Sequence, residues 1–268
     1  MLEYQKIERS IITKYRKDIW RKFVKAVTDY NLIEENDKIA VCISGGKDSF
    51  LLAKLLEELQ KHGKKKFELI FLVMNPGYLD NNLKKIKENA TKLNLKVEIF
   101  TSDIFEVVEK QNSSCYLCAR MRRGFLYSKA QELGCNKIAL GHHFDDVIET
   151  ILLSILYGGE FKSMRPKLSS KNFNGMQLIR PMYLIREKDI ISFSKYNNLN
   201  FINCGCKFVS LSNQKIDASK RLKVKKLIEQ LEEENPLIAS NIFASSRNVN
   251  LNTLLGYKLE NKEYNFFE

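Results

Sequence analysis

The 268-residue chain contains no apolar run approaching the roughly 20 residues that a membrane-spanning helix needs. Residues 1–30 are basic and amphipathic and hold no apolar central block of the kind a secretory signal carries. No internal repeat and no low-complexity linker breaks the sequence, so the C-terminal stretch is expected to pack on the core. These absences point to a cytoplasmic protein without a membrane partner, in which six cysteines are not structural disulfides. No cysteine precedes Cys42, and no thioredoxin-like pattern surrounds the later ones. The Walker spacing, four residues between Gly and Gly-Lys-Ser/Thr, is also missing.

What is present reads as globular: 44% apolar residues, 10% aromatics and enough length for a full α/β core with a small appendage. Lys and Arg number 44 against 32 Asp and Glu, a net charge of +12. Such a balance fits either a solvated lysine-rich surface or a polyanion partner such as a nucleic-acid backbone, and charge alone does not choose.

The most informative stretch is Ile39-Ala-Val-Cys-Ile43, which runs into Ser44-Gly45-Gly46-Lys47-Asp48-Ser49 and then Phe50-Leu51-Leu52-Ala53-Lys54-Leu55-Leu56. A buried strand, a tight glycine turn and a helix N-terminus follow one another. Two glycines let the backbone turn sharply and approach a ligand. The amides of the first helical turn then converge where the helix dipole favours negative charge, so phosphate is the natural guest. Ser-Gly-Gly-x-Asp-Ser resembles the PP-loop of ATP pyrophosphatases, which cleave between the α- and β-phosphates and activate a carbonyl as an adenylate.

Around this turn the pattern predicts an N-terminal basic helical segment over 1–36, a PP-loop domain over 37–200 and a C-terminal cysteine-containing helical extension over 201–268. In the first segment Ile12, Tyr15, Ile19, Phe23, Val27 and Tyr30 form an apolar stripe, with Lys14, Lys17, Arg21 and Lys25 beside it. The basic stripe is either a solvated face or a contact for RNA backbone. Strands are expected at 39–43, 67–75, 97–100, 137–140 and 177–180, with helices to about His62, over 80–94, from Cys115 to Leu133, from Val147 to Tyr157, to Tyr196, and around 218–234. Alternation of this kind predicts an α/β fold with a doubly wound, mostly parallel, Rossmann-type sheet. Ligands of such sheets bind beyond the carboxyl ends of the strands, where the glycine turn lies.

Gly141-His142-His143-Phe144-Asp145-Asp146 ends the fourth strand at the same edge. Hard carboxylate oxygens near a triphosphate suit magnesium, and an aspartate there also caps the following helix. Asp145 is the preferred ligand and Asp146 the cap, while the histidines line the site. Lys162, Arg165 and Lys167 form a basic loop after Gly158-Gly159.

Cys115 and Cys118 form C-x-x-C at a helix start near Arg120, Arg122 and Arg123, and Cys204 and Cys206 form C-x-C. Zinc bound by all four, a redox pair and an iron–sulfur site remain open on spacing alone. Cys42 and Cys135 read as core filler.

Taken together, the run 31–49, Cys115-Tyr-Leu-Cys118-Ala-Arg-Met-Arg-Arg-Gly, Gly141-His-His-Phe-Asp-Asp146, Tyr157-Gly-Gly159 with Met164-Arg-Pro-Lys-Leu168, and Ile179-Arg-Pro181 with Arg186-Glu-Lys-Asp-Ile190 resemble the TtcA family of tRNA 2-thiocytidine synthetases. The likeness covers about residues 18 to 206. It implies a tRNA sulfurtransferase in which ATP with Mg2+ adenylates the C2 carbonyl oxygen of an anticodon-loop cytidine. Sulfur carried on the open iron of a 4Fe–4S cluster then displaces AMP. The implied cluster ligands are Cys115, Cys118 and Cys206, with Cys204 as the alternative third. Lys47, Asp48, Arg122 and Asp145 become the implied catalytic residues, and Ser44, Gly45, Gly46, Lys47, Asp48, Ser49, Gly141 and His142 the nucleotide-binding ones. The implied partners are the tRNA anticodon stem-loop and a cysteine desulfurase or other sulfur donor, with a homodimer as the candidate assembly. The competing readings are a PP-loop cluster enzyme acting on another base or a small sulfur compound, and a non-catalytic zinc- or RNA-binding protein.

Overall fold

The computed structural model describes residues 1–78, 80–102, 115–202, 215–260 and 262–267, with the backbone alone at 115–119 and 215–219. In chain order the elements are α1 (Glu3–Ile12), a π-helical turn (Arg16–Trp20), α2 (Arg21–Asp29), β1 (Lys38–Ile43), α3 (Lys47–His62), β2 (Glu68–Asn75), α4 (Asp80–Lys92) and β3 (Val97–Thr101). They continue as α5 (Cys115–Glu132), β4 (Lys137–Ala139), α6 (Phe144–Gly158), β5 (Lys167–Ser169), β6 (Gln177–Ile179), α7 (Glu187–Tyr196), α8 (Lys215–Glu234) and α9 (Ile238–Ser245), and close with β7 (Gly256–Leu259) and β8 (Lys262–Asn265). Contacts divide them into two compact units, Met1–Val147 with Arg165–Lys220, and Ile148–Met164 with Arg221–Glu268.

The first unit holds a six-stranded sheet in the order β3-β2-β1-β4-β6-β5. All pairings are parallel except β5 with β6. Both faces are covered, as the side-chain alternation of β1 demands. Ile39, Val41 and Ile43 join a core with α1, α2, α3, α4 and α7, whereas Ala40 and Cys42 join a second core with Tyr127 and Ala130 of α5. Ala139 and Ile138 of β4, and Ile179 and Leu178 of β6, divide in the same way.

The expected single N-terminal helix is broken. Ile7, Ile11, Tyr15, Ile19 and Phe23 recur every four residues and are all buried. In a straight α-helix each such step drifts by about 40°, which would carry the stripe off the core. The π turn corrects the phase: the Tyr15 N–H bonds to Ser10 O at 2.9 Å and the Trp20 N–H to Tyr15 O at 3.1 Å. Two further differences are local. Lys167, expected in a loop, begins an antiparallel edge strand, and α6 starts at Phe144 rather than Val147.

Two buried cations lock this unit away from the glycine turn. Lys54 donates to Glu8 at 2.7 Å, to Glu57 and to Leu93 O at 3.0 Å, tying α1, α3 and the end of α4 together. At the amino ends of β1 and β4, Lys137 Nζ lies 2.6 Å from Asp37 and donates to Leu32 O at 3.1 Å. Asp37 also accepts the Asn136 side chain at 2.7 Å and the Glu34 N–H at 2.6 Å.

The second unit is built on its own terms. Val224, Ile228, Ala239 and Phe243 are buried, Arg221 pairs with Glu149 at 2.6 Å, and β7 and β8 form a hairpin not expected from the sequence. Among the described residues no helix is long and apolar enough to cross a membrane.

Cutting the Asp37–Lys137 pair strands a charge in the interior. Asp37→Ala or Lys137→Met alone is expected to destabilise the protein by about 3–5 kcal/mol. Urea unfolding followed by Trp20 fluorescence measures this, and the double variant should recover part of the loss because it leaves no unpaired ion.

Candidate active site

β1 is flanked by β2 on one side and β4 on the other, so the chain leaves the sheet in opposite directions from the adjacent carboxyl ends of β1 and β4. Strands at such a switch point leave a crevice between their loops. The β1 loop is Ser44-Gly45-Gly46 and the β4 loop is Leu140-Gly141-His142-His143.

Gly45 has φ +90°, and a Cβ there would lie 2.6 Å from Ile202 Cδ1 and 2.9 Å from Ile86 Cγ1. Only glycine fits this turn. The Ile202 N–H donates to Gly45 O at 3.2 Å, so the chain at Ile202 lies against the turn. Ser49 fastens it from the helix side: its hydroxyl donates to Gly46 O at 2.9 Å and accepts the Ser44 N–H at 3.2 Å. The first-turn amides of α3 therefore face the crevice on a backbone held at both ends. Gly141 completes the approach, because a Cβ there would lie 3.1 Å from Asp48 C and Ser49 N and 3.2 Å from Asp48 O. The β4 loop thus rests directly on the first turn of α3.

Lys47 lies between two carboxylates, 3.3 Å from Asp48 and 3.0 Å from Glu187. Burial disfavours its charge, but Asp48 and Glu187 outweigh burial and raise its pKa above 10.5, so it is an ammonium at neutral pH. Burial pushes the Asp48 carboxyl above its ordinary 3.8, against the lowering pull of Lys47 and His143. Asp48 Oδ1 is buried and accepts no hydrogen bond. Lys47 Nζ is the cation 3.3 Å from that oxygen, and an anionic oxygen beside a phosphate cradle is the donor that a hard cation takes.

His143 is buried among Asp146 at 3.5 Å, Asp145 at 3.8 Å and Asp48 at 4.0 Å. The two consecutive aspartates have different work. Asp146 accepts the His143 N–H at 3.0 Å, capping α6 from within its first turn. Asp145 accepts Arg186 Nε at 3.0 Å and the Glu187 N–H at 2.6 Å, which satisfies an end amide of α7 and holds Glu187 against Lys47. Arg122 donates to the Tyr78 hydroxyl at 3.1 Å.

The structure therefore brings Ser44, Gly45, Gly46, Lys47, Asp48, Ser49, Gly141, His142 and Asp145 to one edge of the sheet, where Glu187, Arg186 and Ile202 join them. Sequence reading gave these last three no role in the site. Arg186-Glu187 stood in a recognisable block, but nothing local marked Glu187 as the partner of Lys47. Cys204 and Cys206 lie outside the described residues, and of Cys115 and Cys118 only the backbone at the start of α5 is described. Burial pushes Cys42 up to about 12 and Cys135 up to about 11, so both stay thiols in the core. The basic stripe at Lys14, Lys17, Arg21 and Lys25 is exposed, with Lys14 over the Tyr196 ring at 3.8 Å and Lys25 paired to Asp29 at 2.6 Å. Lys167 is engaged by Glu34 at 2.7 Å and Asn31 O at 2.9 Å.

Residues 15–206 match the family model described as a PP-loop domain. The chain is 38% identical over 240 residues to the tRNA-cytidine(32) 2-sulfurtransferase of Syntrophotalea carbinolica, covering 88% of this chain and 90% of the relative. It is 41% identical over 245 residues to tRNA-cytidine(32) 2-sulfurtransferase 1 of Francisella philomiragia, covering 89% and 92%. Among solved structures it resembles the U34-tRNA thiolase NcsA from Methanococcus maripaludis, solved with its 4Fe–4S cluster. The TM-score is 0.66 at 22% identity, covering 85% of this chain and 76% of that one. This last likeness shows the fold, a PP-loop sheet flanked by helices.

Two outcomes follow from the crevice. Because the folded protein holds the Asp48 proton to higher pH than the unfolded chain, its contribution to stability is present below 3.8 and is lost as pH rises through the raised native value. Asp48→Asn, neutral throughout, is expected to melt above the native protein at pH 7, with the gap closing toward about pH 4. The same variant should bind Mg–ATP at least about tenfold more weakly in calorimetry. Gly141→Ala must push the β4 loop off α3, costing about 1–3 kcal/mol, and should weaken ATP binding without changing the fold seen by circular dichroism.

Proposed function

Because the chain belongs to the tRNA-cytidine(32) 2-sulfurtransferase family and its switch-point crevice carries a PP-loop, we propose that it is an ATP-dependent enzyme that converts an anticodon-loop cytidine of tRNA to 2-thiocytidine. The observation that carries this reading is the conjunction at one sheet edge of the glycine turn, Lys47 and the buried Asp48 oxygen that accepts no hydrogen bond. ATP and the cytidine carbonyl would meet there. The oxygen attacks the α-phosphorus, pyrophosphate leaves, and sulfur then replaces the oxygen with release of AMP.

The chain's own residues account for the activating half. Amides of the α3 first turn receive phosphate oxygens, and Lys47 exchanges its two carboxylate partners for the anionic phosphates that arrive. Asp48 is the oxygen ligand for magnesium brought in with the nucleotide, while Asp145 positions Arg186 and Glu187 at the rim.

For the sulfur half we assign Cys115, Cys118 and Cys206 as ligands of a 4Fe–4S cluster. Three thiolates are a cluster donor set, and the backbone at Cys115 opens α5, where a helix N-terminus favours thiolate. The cluster supplies a coordination position at which a sulfur atom is presented. The exposed basic stripe over Lys14–Lys25 is the proposed face for the anticodon stem, and a cysteine desulfurase or equivalent is the proposed sulfur source.

Nucleoside mass spectrometry of tRNA from a deletion strain is expected to show loss of 2-thiocytidine, and unchanged levels would overturn the reading. Cys118→Ala should remove the broad brown absorbance of anaerobically purified protein and abolish thiolation, while binding of a non-hydrolysable ATP analogue stays within about twofold. A colourless native protein that binds zinc would sink the cluster assignment.

A further inference from the structure

Lys47 opens α3 with its ammonium between two carboxylates, 3.3 Å from Asp48 and 3.0 Å from Glu187. Asp48 belongs to the same helical turn, whereas Glu187 is the first residue of α7 and reaches the crevice from another element. An acidic residue suits a first helical turn, where the dipole is positive, and here a second contact fixes its place. Asp145 Oδ2 accepts the Glu187 N–H at 2.6 Å, while Asp145 Oδ1 accepts Arg186 Nε at 3.0 Å. The charge of Asp145 is thereby met by Arg186, and its other oxygen holds the start of α7. The side chains of Asp48 and Glu187 remain 30% and 19% exposed, so a ligand entering the crevice can reach both.

The ammonium marks a position on which anionic oxygens of two different elements converge. When nucleotide phosphates draw Lys47 away, Asp48 and Glu187 are left together beside those phosphates. Partly buried surroundings penalise such a gathering of like charges. A divalent cation arriving with the nucleotide removes the penalty, and magnesium is commonly held by one or two carboxylates together with substrate phosphates and water. We propose that Glu187 is the second carboxylate ligand of this magnesium, paired with Asp48, and that Lys47 and the metal exchange the position between them as the nucleotide binds. Asp145 is then the positioning residue that sets Glu187 through the first amide of α7. The assignment rests on the ATP reading of the crevice given above.

The test titrates AMPPNP by calorimetry into the full-length native protein, Glu187→Gln and Glu187→Ala, once in EDTA and once in excess Mg2+. Both variants keep the backbone N–H that bonds to Asp145, and Glu187→Gln also keeps the shape of the side chain. The factor by which Mg2+ tightens AMPPNP is expected to fall about tenfold in either variant. Affinity in EDTA should equal the native value or exceed it, because Lys47 has lost a competing anion. With Mn2+ in place of Mg2+, the electron paramagnetic resonance signal of free metal should rise in both variants at fixed AMPPNP. A Mg2+ factor equal to native would overturn the assignment, and equal tightening in both buffers would make Glu187 the counter-ion of Lys47 alone. Native protein that binds AMPPNP in neither buffer would overturn the ATP reading itself, a result distinct from these.

Discussion

The contact on which the crevice depends is the seating of Gly141 against the backbone of Asp48 and Ser49. Parallel neighbours β1 and β4 bring two loops to the same edge, but neighbouring strands alone leave a gap between them. Removing a Cβ at Gly141 lets the β4 loop close onto the first turn of α3. His143 is then within 4.0 Å of Asp48, and Asp145 can reach α7 while its own helix starts beside the phosphate turn. Ser49 and Ile202 hold the other side of the turn, so the amides of α3 are positioned before any ligand arrives. This is preorganisation by packing, with dipoles already aimed where charge will come.

Buried charge is treated in opposite ways at the two ends of the sheet. Asp37 and Lys137, at the amino ends of β1 and β4, are 2% and 1% exposed and fully provided with partners. That end is structural. At the carboxyl end Asp48 Oδ1 accepts no hydrogen bond and has the Lys47 ammonium 3.3 Å away, and Arg180 Nε has no hydrogen-bond partner. The stability lost to such groups is the signature of positions kept for a ligand. Lys47 sits between these extremes, neutralised by Asp48 and Glu187 in a way that arriving phosphate can replace.

Much of the fold was legible because its signals are local. The run 39–49 declares strand, turn and helix in consecutive residues, and each later strand is an apolar block bounded by turn residues. The alternation along β1 also matched a sheet covered on both faces. The misses have equally physical causes. Four-residue spacing in the N-terminal stripe looks continuous on paper, and only the geometry of packing requires the π turn at Arg16–Trp20. Lys167–Ser169 is short and exposed on its outer side, so no hydrophobic alternation marked it as an edge strand. The β7–β8 hairpin is largely exposed and likewise lacks a buried face to pattern it.

The site was legible in its motifs and not in its pairings. By itself the sequence determined the phosphate cradle, the aspartate pair at the end of β4, the C-x-x-C segment and the family to which they belong, because each of these is written in a few adjacent residues whose backbone geometry is local. Tertiary structure alone decided that Lys47 meets Glu187, 140 positions away, that Asp145 is occupied by Arg186 and the start of α7, and that Ile202 covers Gly45. It also decided that Arg180 is buried, with a terminal nitrogen donating to Arg165 O. Those contacts depend on which strands are neighbours and how closely their loops approach, and strand order is set by the packing of the whole sheet rather than by any segment within it.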